Sequence, residues 1–141
     1  MADREVPEGP AEVYKWIIDD CVNFAKDVNA ERIRSGTPYS SNDPGAPEDL
    51  MLKSLSQAQR KTLAQMLDDA RSGGVHDLLA RLTWWIDCQG LRLTYRGQPV
   101  PVDFSGMGLH GDYIGRSDQQ EQWQWPDEPP APLPPWNSNS G

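Results

Sequence analysis

Two histidines stand in this chain, and each sits in a similar setting: His76 in "SGGVHDLLARL" over 72–82 and His110 in "GMGLHGDY" over 106–113. Each follows glycine closely, and each has an aspartate just behind it, Asp77 and Asp112. A carboxylate beside an imidazole can orient the ring and fix its tautomer, the minimum equipment for acid–base work. If the two stretches meet in space, His76, Asp77, His110 and Asp112 line one cleft, with Tyr113 presented by the same loop. If they do not, they are two turns that happen to contain histidine. The criterion is distance: imidazoles more than about 10 Å apart cannot share one water or ion.

Other chemistries find less support. Cys21, His76, Cys88 and His110 would supply four zinc ligands, but their spacing contains no close ligand pair. Both cysteines fall in apolar-periodic segments and read as buried free thiols. No metal and no cofactor is expected. The His-Asp doublet of metal-dependent phosphohydrolases needs an earlier histidine, and none precedes residue 76. The glycine-rich "SGMGLHGDYIG" lacks the strand-to-helix setting of a dinucleotide loop and the Lys-Ser/Thr ending of a phosphate loop. Ser105 and Ser117 lie outside any nucleophile elbow. The pairs Asp19-Asp20 and Asp68-Asp69 are helical neighbours, which point about 100° apart and so do not converge on one atom. No catalytic residue is assigned.

The elements that must position these residues follow from periodicity. Val13, Ile17, Cys21, Phe24 and Val28 recur at helical steps, which predicts a first helix over 10–35, opened by Pro10 and closed by Gly36. A turn-rich loop follows, then a short helix after Pro47 that carries Leu50, Met51 and Leu52 into the core. Ser56 with Gln59 is a capping-box pattern opening a helix over 57–72. Gly73-Gly74 reads as its stop, and Val75, Leu79, Leu82 and Ile86, widened by Leu78 and Trp85, as the face of a third helix ending at Gly90. That makes an αα-hairpin with almost no loop. Asp77 then falls in a first helical turn, where a carboxylate meets free amides, a structural role that needs no catalysis. Leu91, Leu93 and Tyr95 next alternate with polar residues, as do Val100, Val102 and Phe104, around the turn "RGQP". Pro99 and Pro101 place the second strand at an edge. "GLHGDYIGRS" reads as a third short strand or a packed loop. The expected fold class is α+β: three main helices with a short antiparallel β-hairpin. The expected organisation is a flexible 1–9, one domain over 10–117, and a Trp/Pro-rich acidic tail over 118–141.

With "TLAQMLDDARSGGVHDLLARL", "IDCQGLRL" and "LHGDYIGR" standing in this order, the chain resembles a family of small bacterial domains of unknown function. In that family a helical hairpin runs through a Gly-Gly-x-His-Asp turn into a short β-hairpin. The resemblance covers roughly residues 11–126. It implies an α+β fold and a bacterial or phage origin, and it carries no activity and no functional residue.

Charge narrows the partners. Twenty-one acids against thirteen bases give a formal net charge of −8. That disfavours direct contact with nucleic acid or an anionic membrane and favours a protein partner with a basic surface. No signal peptide and no membrane span is evident, so the expected location is the cytoplasm. Trp16, Trp84 and Trp85 lie in amphipathic segments and read as core or core edge. Trp123, Trp125 and Trp136 lie in a segment too polar to fold alone, so they either fold back on the domain or anchor a partner. "PPAPLPP" has P-x-x-P spacing but no flanking base, which weakens an SH3-type reading. The leading expectation is a non-enzymatic binding protein, an inhibitor of the immunity or anti-defence type, that occludes a basic bacterial protein, such as one that binds nucleic acid. Its candidate contacts are His76, Asp77, His110, Asp112, Tyr113, Trp123 and Trp125. Two alternatives stay open: a small enzyme or ligand-binding domain built on the two His-Asp stretches, and a structural accessory protein tethered through its tail. Oligomeric state is not legible.

Overall fold

The computed structural model describes residues 6–40, 43, 45–118 and 123–137. Residues 1–5 of the N-terminal segment expected to be flexible, and 119–122 and 138–141 of the tail, lie outside the described residues. The fold is α+β. Helices α1 (Pro10–Phe24), α2 (Val28–Ser35), α3 (Pro47–Ser54) and α4 (Gln57–Gln89) are followed by β1 (Thr94–Tyr95), β2 (Gln98–Pro99) and α5 (Gly108–Asp118). The residues group into two compact units, Phe24–Gly74 on one hand and Met1–Asn23 with Val75–Gly141 on the other. No helix among the described residues is long and apolar enough to cross a membrane.

In the unit of residues 24–74, the helix expected over 10–35 is interrupted. Asp27 adopts an extended backbone and its carboxylate accepts from the amides of Asn29 and Ala30, at 2.7 and 3.4 Å, so it caps a new helix. α2 ends as expected at Gly36, which is left-handed (φ 74°), with the Thr37 amide donating to the Arg32 carbonyl. The capping box at α4 is reciprocal: the Ser56 amide donates to Gln59 Oε1 at 2.8 Å, and the Gln59 amide donates to Ser56 Oγ at 3.2 Å. Ala30, Ile33, Leu52 and Ala64 form the core, with Tyr39, Leu55, Leu63 and Leu67 packed against it. Of the three apolar residues of α3 only Leu52 is buried; Leu50 and Met51 are exposed. Buried Asp49 takes the amides of Tyr39 and Ser40, tying down the loop before α3.

The helical hairpin expected around Gly73-Gly74 is absent. α4 is one helix of 33 residues. A glycine stop needs a left-handed residue, and neither Gly73 nor Gly74 has a positive φ. Glycine costs only about 1 kcal/mol in a helix interior, too little to break an otherwise continuous hydrogen-bond ladder. Asp77 is therefore a mid-helix residue, not a first-turn one.

In the other unit, Tyr14, Ile18 and Val22 of α1, Leu79 and Ile86 of α4, Val100, Val102, and Leu109 and Tyr113 of α5 are buried. Thr94 pairs with Pro99 and Tyr95 with Gln98. Arg96 and Gly97 both have positive φ (51° and 79°), the geometry of a two-residue hairpin turn. The segment read as a strand or packed loop is instead α5. Its opening amides are taken by side chains: Met107 by Ser105 Oγ, Gly108 by Asp103 Oδ1 and Leu109 by Thr83 Oγ1.

Candidate functional site

α4 and α5 bring the two histidines together. The ring centroids of His76 and His110 lie 5.3 Å apart, edge to face at 87°. His76 Nδ1 stands 3.2 Å from Asp77 Oδ1, and since the carboxylate only accepts, the ring donates and Nε2 is left basic. His110 Nδ1 stands 3.4 Å from Thr83 Oγ1. That hydroxyl already donates to the Leu79 carbonyl at 2.9 Å, so His110 donates here too and keeps Nε2 as its basic nitrogen. The same Thr83 oxygen accepts from the Leu109 amide, so one side chain sets both the start of α5 and the orientation of its histidine. Thr83 escaped the sequence reading, although its place seven residues after His76 puts both on one helical face. Among the described residues no three His, Cys, Asp or Glu side chains gather as a metal set.

Asp112 and Tyr113 lie in the core. Asp112 is fully buried, and its carboxylate accepts from the Tyr14 hydroxyl at 2.5 Å, the Phe104 amide at 2.9 Å and the Ser105 amide at 2.7 Å. The Tyr14 hydroxyl in turn accepts from the Asp103 amide at 3.2 Å. Burial, reinforced by the hydrogen bond to Asp112 and that residue's negative charge, holds the Tyr14 phenol well above its ordinary range. These groups join α1, the 103–105 segment and α5.

Trp123 and Trp125 fold back onto the same unit. Tyr14 stacks on Phe104 with centroids 5.1 Å apart, Trp125 meets Phe104 edge-on at 5.2 Å, and Trp123 meets Trp125 at 4.8 Å. Trp123 lies so close to Gly115 that a Cβ there would come within 3.1 Å of the indole. Arg116 donates to Asp19 at 2.8 Å and its guanidinium lies 5.5 Å from the Trp125 ring.

Two other tryptophans, on α4, are exposed, as are Phe24 at the end of α1 and Trp136. Val75, Leu79, Leu82 and Ile86 form the inward stripe, as the periodicity predicts. Leu78 (62% exposed), Trp84 (39%) and Trp85 (45%) point to solvent, against the expectation of core or core edge. Trp84 and Trp85 stand edge to face at 5.4 Å, and the Arg81 guanidinium lies 4.3 Å from the Trp84 ring. Two adjacent helical tryptophans cannot both face inward, and that signal was present in the sequence. Cys88, one turn past Trp84, is also exposed, which corrects the reading of a buried thiol; Cys21 is half-buried.

These features define a small α+β protein with a paired-imidazole site and a solvent-facing tryptophan patch in the same unit. The chain belongs to a family of unknown function (DUF6547), whose model matches residues 7–127. No curated protein and no solved structure matches it.

Proposed function

We propose that this protein is a non-enzymatic binding protein that occludes a basic surface of a partner protein. The observation that carries this is the division of charge. The unit of residues 24–74 holds seven acids and seven bases, whereas the unit containing α5 holds fourteen acids and six bases. The whole excess of −8 thus falls on the unit that exposes Leu78, Trp84 and Trp85. Tryptophan and arginine are the residue types that dominate binding energy at interfaces, and carboxylates around them steer a cationic partner. An inhibitor of the immunity or anti-defence type, covering a nucleic-acid-binding cleft, is the concrete form that best fits this sign of charge. The test is capture from cell extract with immobilised full chain. A basic protein should be retained at about 50 mM salt and released at about 500 mM, where the Debye length shrinks to a few ångströms. The Trp84→Ala/Trp85→Ala double variant, its fold checked by circular dichroism, should lose that capture. Retention indifferent to salt and to both tryptophans overturns the reading.

The imidazole pair supports a second reading, a small-ligand or acid–base site at His76 and His110, because two basic Nε2 atoms belong to rings only 5.3 Å apart. A His76→Gln/His110→Gln variant that still captures the partner fully, yet loses binding of a small anion or metabolite, would favour it.

A further inference from the structure

The C-terminal segment lies along an apolar groove of its own unit. The groove is walled by Ile86 at the end of α4, Leu91 and Leu93, and Val100 and Val102 beyond the hairpin; Leu133, Pro135 and Trp136 close it. Arg92 fastens the segment. Its Nη1 donates to the carbonyls of Ile86 and Leu91, at 2.8 and 2.9 Å, which anchors the guanidinium at the end of α4. From there Nε donates to the Pro134 carbonyl at 2.8 Å, and the guanidinium faces the Trp136 ring at 5.5 Å. Gly90, left-handed at φ 74°, completes the seat: a Cβ there would come within 2.3 Å of the Trp136 indole.

We propose that this groove is a recognition site for an extended proline-rich segment of a partner protein, of the chemistry apolar–Pro–Pro–Trp, and that residues 133–136 occupy it in cis as a displaceable ligand. Three observations carry this. The contacts are those of peptide recognition: a main-chain carbonyl of a proline is read by a guanidinium, an aromatic side chain has its own seat, and apolar pockets take the residues between. The walls of the groove lie inside the region that matches the family, residues 7–127, whereas the segment closing it lies beyond. Finally, the segment underfills its seat. About 300 Å³ of apolar-lined space stays open to solvent beside it. Apolar wall left in water is area that a larger side chain would cover. A ligand with more side-chain volume gains where this one does not. Tethering offsets the poor fit by keeping the cis segment at an effective concentration of order millimolar.

This site is separate from the tryptophan patch on α4 and does not depend on the function proposed above. The probe is a fluorescein-labelled peptide of residues 129–137, "PPAPLPPWN", titrated into full-length chains. The Trp136→Ala chain, with its own ligand loosened, should bind it at least tenfold more tightly than the wild type. The Leu133→Ser/Pro135→Ser chain should do the same. Adding Arg92→Gln to either should abolish the gain. A peptide with phenylalanine in place of leucine should bind more tightly still. Equal affinity for wild-type and loosened chains, no binding to either loosened chain while both stay folded, or indifference to Arg92→Gln overturns the proposal. A phenylalanine peptide that binds no tighter removes the cavity from the recognition.

Discussion

The Tyr14 hydroxyl donates to Asp112 across 98 residues of sequence, and neither side chain is exposed to solvent. The bond closes a set in which every partner is accounted for: Tyr14 also accepts from the Asp103 amide, and Asp112 also accepts from the amides of Phe104 and Ser105. Buried polar groups stabilise a fold only when satisfied, and removing one strands the others. Asp112→Ala should therefore cost roughly 4 kcal/mol or more, since it leaves three donors, the buried Tyr14 hydroxyl and two part-buried amides, without an acceptor. Tyr14→Phe should cost about 1–2 kcal/mol, because the carboxylate keeps its two amide donors and only the part-buried Asp103 amide loses its acceptor. Urea denaturation midpoints of the two variants check this. Near-equal losses would mean that Asp112 acts chiefly through Tyr14.

The same pair sets an alkaline limit. The Tyr14 phenol is held above its ordinary range in the folded chain, by burial first and then by Asp112. In the unfolded chain it ionises near pH 10. Above that pH the unfolded state holds fewer protons than the folded state, so stability falls as pH rises, by up to about 1.4 kcal/mol per unit for this one group. The contribution is fully present below pH ~10 and is lost progressively above it. The slope of unfolding free energy between about pH 10 and 11.5 should be shallower in Tyr14→Phe than in wild type. Parallel slopes would assign the alkaline loss to other tyrosines or lysines.

What the sequence made legible was mostly local. The capping box at Ser56, the stop at Gly36 and the inward stripe of α4 are each settled by a few neighbouring residues, and each stands in the structure as read; the hairpin turn read over 96–99 narrows to Arg96-Gly97, because Gln98 and Pro99 pair as β2. The helix α5 was not legible, because its first amides are satisfied by Asp103 and by Thr83, and Thr83 is distant in sequence. Asp112 looked like a partner for a histidine since it stands two residues from one. Only the fold reveals that its carboxylate is spent on Tyr14 and two amides. Periodicity pulled Trp84 and Trp85 inward, where the structure exposes them. For Trp123 and Trp125 the sequence left fold-back and partner-anchoring both open, and only the structure shows the close approach of Trp123 to Gly115. The meeting of His76 and His110 could be posed as a distance from sequence, but only the placement of α5 on α4 supplies the answer.

Thiol labelling separates the two cysteines. Burial, and secondarily the charge of Asp20, push the Cys21 thiol up, so little thiolate forms near neutral pH. Cys88 is exposed. Maleimide at neutral pH should modify the native chain once rapidly and once slowly, and Cys88→Ser should remove the rapid phase. Because Cys88 stands one helical turn beyond Trp84, its labelling rate also reports on the tryptophan patch: a partner seated there should slow it. A rapid phase that survives Cys88→Ser would place the reactive thiol at Cys21 and contradict the structure.

The continuity of α4 gives the most direct check on the fold. Around both Gly73 and Gly74 a Cβ would meet nothing within 4 Å, and neither residue has a positive φ. In a helix interior alanine is favoured over glycine by about 1 kcal/mol, because the unfolded chain loses freedom and no strain is introduced. Gly73→Ala and Gly74→Ala should each raise stability by roughly 0.5–1 kcal/mol, and the double variant by nearly the sum. Were the two glycines a turn between separate helices, one of them would need the left-handed region, and alanine there would lower stability. The sign of the change in thermal midpoint therefore decides between one long helix and a helical hairpin. A loss in either single variant would restore the hairpin and return Asp77 to the first turn of its own helix.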